Sequence, residues 1–480
     1  MLKKLLKPLI AVSVSAVFFV YGCATGTKYK NKPVDIEIPA KWEALDTQKE
    51  INDNEYFNNF LDDFNDVKLK YIVNKSLEHN LDLLISAERI NYAKSVLKIT
   101  GADLFPVVSG GLNFSRSGIV SEVNNKPYRE TENNTSLNLD ISWEMDLWGR
   151  IKALKKSELV EFLAVNSDYE SAKLSYGAMT AKAWFSAIES KLQTRLSRET
   201  LESFEKSDEI ITKRFRSGLS GAMDVRLVRS EKLAAKDEYI GQEKNFSESV
   251  RALRVLMGDY PFDTINLPDN LPVIGKPVPT GIPSDLLKRR PDISAAKNRI
   301  ISADFKTTAS EKALFPSITL TSGAGTSSSE LKNLLNVNYL SWNAGSGILM
   351  PIFQGGKLRE DIKRNSSFAK EAWLNYQKTV LNAFHEAETA IDAQSILEKR
   401  ESVLKDLVKE AKASLDKAWD SYLAGESEII TVLDSRRSLI QAQKSLISVS
   451  AQRLVNRVDL YLALGGGLKH NKSNGNRIEK

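Results

Sequence analysis

The sequence predicts a membrane α/β-barrel built from several copies of an internally duplicated chain, each copy adding four transmembrane β-strands and long coiled-coil α-helices. Three observations carry this. From Leu137 to Leu147 apolar and polar residues alternate without a break over eleven positions. That is the pattern of a strand with one face in an apolar medium and the other in water, and the length is about what a tilted strand needs to cross a bilayer. Directly after Trp148-Gly149-Arg150, residues Ile151 to Ser217 contain no proline and one glycine, Gly177. A helix of that length reaches about 100 Å, a rod for which a compact enzyme has no use. The third observation is that the same order of markers is written twice.

Composition agrees. Of 480 residues 8% are aromatic and 27% charged, which suits long solvated helices better than several dense cores. The formal charge of +6 divides into +3 from Lys3, Lys4 and Lys7 and +3 from the residues after Leu468, leaving a body near neutral. A nucleic-acid partner needs a concentrated basic face, and none is visible.

The chain opens as a secretory signal peptide, residues 1–22: lysines, an apolar run from Leu9 to Val20 too short to span a membrane, then Tyr21-Gly22-Cys23. This end resembles a bacterial lipobox, with Tyr21 bulkier than that motif usually carries. Cys23 is the only cysteine and cannot staple its own chain, so the expected use is covalent lipid. Ala24 follows where inner-membrane retention goes with aspartate, so by the same resemblance the destination is the outer membrane. Residues 23–54, with Pro33 and Pro39, form a lipidated extended leader.

The first repeat, 55–260, begins with a helix from Leu69 towards Ile99, apolar positions recurring three to four apart and ending at Leu104-Phe105-Pro106. A strand around Leu112 follows, then a polar loop from Ser121 to Asn134, then the strand at Leu137. The long helix breaks at Ser217-Gly218-Leu219-Ser220-Gly221, a helix-hairpin turn, and a return helix reaches Gly258. Seven of the fourteen prolines fall between Pro261 and Pro291, so 261–291 is a connector. The second repeat, 292–467, restates the first. Arg89-Ile90 and Leu104-Phe105-Pro106 recur 210 residues later, whereas Gly149, Gly218 and Gly258 recur 207 later as Gly356, Gly425 and Gly465. Its strands are expected at Ser317 to Ser322 and Leu340 to Phe353. Residues 357–424 contain neither glycine nor proline. Within them Val380, Phe384, Ala387 and Ile391, then Leu404, Val408, Ala411, Leu415, Ala418 and Tyr422, keep the 3.5-residue period of coiled-coil packing. Residues 468–480 are a basic flexible tail.

Strand edges cannot stand open in lipid, so membrane strands close into a barrel, and the smallest have about eight strands. Four strands per chain therefore require an oligomer. Dimer and trimer both satisfy closure; eight strands leave an interior that side chains fill, so a conducting tube favours three chains.

Leu287-Lys288-Arg289-Arg290-Pro291-Asp292-Ile293, the Pro-Ile-Phe-x-Gly-Gly segment from Pro351 to Gly356, and Tyr422-x-x-Gly425 followed by Val432-Leu433-Asp434 resemble the TolC-type outer-membrane factor family, specifically its lipoprotein branch (OprM-like, NodT-like). The resemblance covers about Asn58 to Gly467. It implies a homotrimer with a twelve-stranded outer-membrane barrel, a periplasmic α-barrel, and work alongside a periplasmic adaptor and an inner-membrane transporter, in this branch of the resistance-nodulation-division type. It implies a passive channel expelling small molecules: drugs, toxic compounds or metal ions. The exit duct of an ABC-driven type I secretion system is the alternative within that architecture. A non-conducting coiled-coil surface lipoprotein is the alternative of another class, against which the bilayer-length strand argues.

No catalytic or metal-binding constellation is present. His79, His385 and His470 lie far apart, and there is neither His-Glu-x-x-His nor a phosphate loop, so neither enzyme activity nor a cofactor beyond the lipid is expected. The resemblance places a periplasmic gate at the turn after the second long helix. Asp434, nine residues past Gly425, matches an aspartate near the three-fold axis, Arg437 a charged partner, and Tyr422 a tyrosine that ties neighbouring helices. Ser427 stands where some members carry an arginine. Three carboxylates on an axis repel one another and attract cations, and an arginine at i+3 offsets part of that. At offset 207 the first repeat has Leu227 and Ser230 in their places, so only the second carries this charge pair.

Overall fold

The computed structural model describes residues 29, 31–33, 35, 36, 38–44, 60–123, 126–274, 278, 280 and 283–466. The signal peptide, Cys23 and the basic tail lie outside the described residues. The elements run in the order α1 (Val67–His79), α2 (Leu81–Ala102), β1 (Val107–Val123), β2 (Lys126–Met145), α3 (Arg150–Arg216), α4 (Ala222–Leu256), α5 (Leu286–Arg289), α6 (Pro291–Lys312), β3 (Ser317–Ser328), β4 (Leu340–Leu349), α7 (Lys357–Ala424) and α8 (Ile429–Ala463). Short 3-10 turns at Phe60–Phe64, Pro283–Asp285, Leu331–Asn333 and Val337–Tyr339 complete the order. Two compact units emerge: Met1–Asp35, Arg89–Asn166 and Ala295–Gln377 make the first, Ile36–Glu88, Ser167–Ser294 and Lys378–Lys480 the second.

The first unit holds one antiparallel sheet in the order β1-β2-β3-β4. Its register puts Val108 opposite Ile141, Leu112 opposite Leu137, Trp143 opposite Leu320, Ile318 opposite Ile348 and Ala324 opposite Trp342. Because side chains alternate, these residues share a face. Leu139, Ile348 and Trp342 on it are 51, 74 and 77% exposed, so among the described residues little covers this apolar surface. The opposite face carries Ser109, Asn113, Asn138, Asp140, Ser142, Thr321, Asn343 and five glycines, Gly111, Gly323, Gly325, Gly345 and Gly347. Gly325 on β3 is needed there, since a Cβ would collide with the Leu137 carbonyl oxygen. At the start of α3, Asp146 accepts the Ile151 and Lys152 amides at 3.0 and 2.8 Å, a side-chain cap that turns strand into helix. Nearby, Trp143 and Trp148 donate their indole N–H groups to the Leu104 and Pro316 carbonyls.

Three expectations about element bounds are corrected. The polar loop expected from Ser121 to Asn134 is ladder, because pairing continues to Val123 opposite Lys126. Above the apolar band both faces are polar, so the period-two signal disappears while the β-favouring Ile119, Val120, Tyr128 and Thr131 keep the strands paired. β4 ends at Leu349, not at Phe353, since Pro351 has no N–H to give a ladder. The helix expected from Leu69 to Ile99 breaks at Asn80, whose side chain accepts the Asp82 and Leu83 amides and starts α2 afresh.

In the second unit the repeat is visible as geometry. Asn80 donates to the Leu256 carbonyl, and 210 residues on Arg290 donates to the Ala463 carbonyl. The repeat glycines Gly258 and Gly465 have φ of 72° and 73°. A Cβ on Gly258 would lie 2.5 Å from the His79 carbonyl oxygen, and one on Gly465 3.1 Å from Arg289 Cβ. Both are places where a helix end meets another backbone. Around them Trp184, Phe185, Phe64, Leu454 and Tyr461 are buried. Asp66 serves twice, capping α1 through the Lys68 and Leu69 amides and accepting Trp184 Nε1 at 2.9 Å. The coiled-coil seam read on α7 is present: Val380, Ala387, Ile391, Ala411, Ala418 and Tyr422 are buried. The connector is mostly coil, with Pro291 opening α6, a position where the missing N–H costs nothing.

Candidate functional site

Two surfaces are equipped for function. One is the sheet of the first unit, apolar on one face and polar on the other. The other lies in the second unit, where the hairpins α3–α4 and α7–α8 turn.

Both turns close the same way. Leu219 N–H reaches the Arg214 carbonyl at 2.8 Å across Gly218, and Glu426 N–H reaches the Ser421 carbonyl at 2.9 Å across Gly425. With φ of 73° and 79° the two glycines form Schellman caps. The helices meet in one apolar cluster: Phe204 and Ile211 of α3, Val225 and Val228 of α4, Ala418 and Tyr422 of α7, and Ile429, Val432 and Leu433 of α8. Asp208 on α3 ties α4 to it, 2.6 Å from Lys232 and 3.2 Å from Arg229. Burial pushes the Asp208 carboxyl up, but hydrogen bonds from those two cations hold it below the usual range. Its contribution is therefore present above the unfolded value and lost as pH falls through the folded one.

The structure brings the expected gate residues to this end. Tyr422 is 5% exposed, its hydroxyl 2.9 Å from Ser220 Oγ and 3.4 Å from Asp224 Oδ2. Arg437 Nη1 donates to Asp434 Oδ1 at 2.6 Å and Nη2 to Glu231 Oε1 at 2.8 Å. The hydrogen bond to Glu231 raises the Arg437 pKa, so the guanidinium stays charged. Each contact with Ser220, Asp224 or Glu231 crosses from one hairpin to the other. Those three partners escaped sequence reasoning. Glu231 sits beside Ser230, the repeat mate of Arg437, and that adjacency was the one signal available. The first repeat thus lacks the Asp–Arg pair yet supplies the arginine's second carboxylate. The Asp434 side chain remains 63% exposed.

Nothing here amounts to chemistry on a substrate. Among the described residues no group of His, Cys, Asp and Glu is arranged to hold a metal, and no helix is long and apolar enough to cross a membrane. His79 lies beside the Lys75 carbonyl, and His385 is exposed on α7.

A sheet with one lipid-compatible face, in a chain whose two helical hairpins are clasped at their turns, defines a protomer of an outer-membrane channel with a long helical extension. A family model described as outer membrane efflux protein matches residues 72–259 and 282–466. The solvent efflux pump outer membrane protein SrpC of Pseudomonas putida is 30% identical over 409 residues, covering 84% of this chain and 86% of its own. The cation efflux system protein CusC of Escherichia coli O6:H1 is 28% identical over 408 residues, covering 84% and 87%. The solved outer-membrane channel OprN shares the fold, with a TM-score of 0.83 at 23% identity over 93% of this chain and all of that one. The chain belongs to the outer membrane efflux protein family. It is an efflux channel protein of the Gram-negative outer membrane, and not an enzyme.

Proposed function

We propose that three copies close one channel, the outer-membrane component of a tripartite pump that carries small molecules from a periplasmic adaptor and an inner-membrane transporter to the exterior. The observation that carries this is the register-matched two-faced sheet, whose outer edges, on β1 and β4, have no partner among the described residues. Three sheets joined edge to edge give a twelve-stranded barrel, apolar outside and polar within, wide enough to leave a passage. On α7 further apolar residues outside the buried seam, Leu374, Leu381, Ile396 and Val403, are exposed, and a neighbouring copy is the natural cover. Three Asp434 carboxylates would then converge on the axis. The transporter is of the resistance-nodulation-division type, by the motifs from Leu287 to Ile293 and from Tyr422 to Asp434. No cofactor is needed for passive conduction. Cargo is chosen by the pump, consistent with SrpC being named for solvents and CusC for cations.

A photocrosslinker at Ala424, beside the α7–α8 turn, tests the assembly in cells. Capture of an adaptor that co-purifies with a proton-driven transporter is expected; capture of one paired with an ABC transporter moves the chain to protein secretion. Cys23 carries the lipid in this reading. Cys23→Ser is expected to lose label from a radioactive fatty acid while trimers still form, because the barrel supplies the membrane hold; label persisting in that variant refutes the assignment.

A further inference from the structure

The Arg437 links already described at the turn end are polar and half-exposed. Behind them lies a different set of contacts. The Arg214 guanidinium sits 5.3 Å from the Tyr422 ring centroid, and Tyr422 stacks on Trp419 at 5.9 Å with planes 24° apart. The Arg436 guanidinium lies 5.8 Å from the Trp419 ring and 5.0 Å from the Phe204 ring. Cation, ring, ring, cation and ring thus follow one another, with Arg214 and Phe204 from α3, Tyr422 and Trp419 from α7, and Arg436 from α8. All the cation–ring distances fall within the roughly 6 Å over which a ring face attracts a cation. Arg436 meets only neutral groups: Nη1 donates to Ser207 Oγ at 2.9 Å and to the Ser203 carbonyl at 3.4 Å. Among the described residues neither arginine has a carboxylate partner, and the Nε atoms of both are buried without an acceptor.

We propose that this ladder is a second clasp on the closed channel, one that ionic strength does not loosen, with Trp419 and Arg436 as its positioning residues. The inference rests on reading this end as the gate. The α7–α8 hairpin cannot swing away from α3 without separating Arg436 from Phe204 and Ser207, and Tyr422 from Arg214. Trp419, lying between Tyr422 and Arg436 within that hairpin, holds both in position. The Arg437 links to Asp434 and Glu231, whose side chains are 49, 63 and 23% exposed, are open to screening. The ladder is packed against the apolar cluster of Phe204, Val432 and Leu433 and is partly buried there, so salt screens it less than the outer pairs. A channel working in a compartment of variable ionic strength would keep its closed state through the ladder when the outer pairs weaken.

The test is the closed-state leak of purified full-length trimers in planar bilayers at about 0.1 and 1 M salt, the range over which screening shrinks from about 10 to about 3 Å. Trp419→Leu, which keeps apolar bulk but removes the ring face, is expected to raise the leak about tenfold, by the same factor at both salt concentrations. Trp419→Phe, which keeps a ring, stays near wild type. Arg437→Ala raises the leak at low salt, and its ratio to wild type falls towards one at high salt. If Leu and Phe at position 419 behave alike, the site is packing only and the proposal falls. It falls too if the Trp419→Leu ratio collapses with salt, or if Arg436→Met lowers the leak, which would make the buried charge a burden on the closed state. Should Trp419→Leu fail to give a heat-modifiable trimer, Arg436→Met, similar in length but uncharged, carries the test with a rise expected. Wild type that forms no channels at all would overturn the gate reading, a separate outcome.

Discussion

Arg437→Ala combined with Tyr422→Phe is expected to turn a quiet channel into a leaky one. Tyr422→Phe removes the hydroxyl that reaches Ser220 and Asp224 while leaving the ring in its stack. A buried hydrogen bond of this kind contributes about 1 kcal/mol. Arg437→Ala cuts both the Asp434 and the Glu231 contacts, which at this exposure contribute less than about 1 kcal/mol together. If three protomers open in concert these small terms triple, to about 5 kcal/mol, or roughly three to four decades in the open fraction. Single-channel recording reads this directly. A double variant whose closed-state current matches wild type would show that these contacts do not hold the closed form. The Asp434 carboxylates, freed of their arginine, should also make the leak more cation-selective.

The second large effect is expected in the sheet. Leu139→Arg places a guanidinium in the middle of the apolar face, between Gly110 on β1 and Ala324 on β3. At the bilayer midplane that costs about 2–4 kcal/mol per strand, paid three times over in a trimer. The variant should fail to give the heat-modifiable band of a closed barrel. Asn138→Arg, one residue away on the polar face, should assemble and insert. Equal tolerance at the two positions would mean that the faces have been assigned the wrong way or that the sheet does not lie in lipid.

Much of this was legible in the sequence because the governing signals are periodic. Leu137 to Leu147 alternates because lipid and water lie on opposite sides of β2, and that same alternation runs across the β2–β3 register. Gly149, Gly218, Gly258 and their mates 207 residues on all adopt φ between 72° and 85°, a conformation other residues avoid, so glycine spacing marked real turns. What escaped was set by packing between distant segments. Tyr422 and Ser220 are 202 positions apart, and Glu231 meets Arg437 across 206; which side chains face one another there depends on how two hairpins are offset along their axes, and no local pattern encodes that offset. Asn80 looked like one more polar residue on a helix, yet it caps α2 because Leu256 and Gly258 crowd the end of α1. The outer part of the β1–β2 hairpin was read as loop for the opposite reason, since with water on both faces nothing alternates.

The central claim is that the polar face of the sheet lines a water-filled passage. Cys23 is the chain's single cysteine and is capped by lipid in the proposed mature form, so single cysteines placed in turn from Leu137 to Glu144 can be probed with a charged, membrane-impermeant thiol reagent in phospholipid vesicles. Labelling is predicted at 138, 140, 142 and 144 and protection at 137, 139, 141 and 143. Uniform labelling, or protection at every position, would contradict a barrel with lipid on one side and a conducting interior on the other.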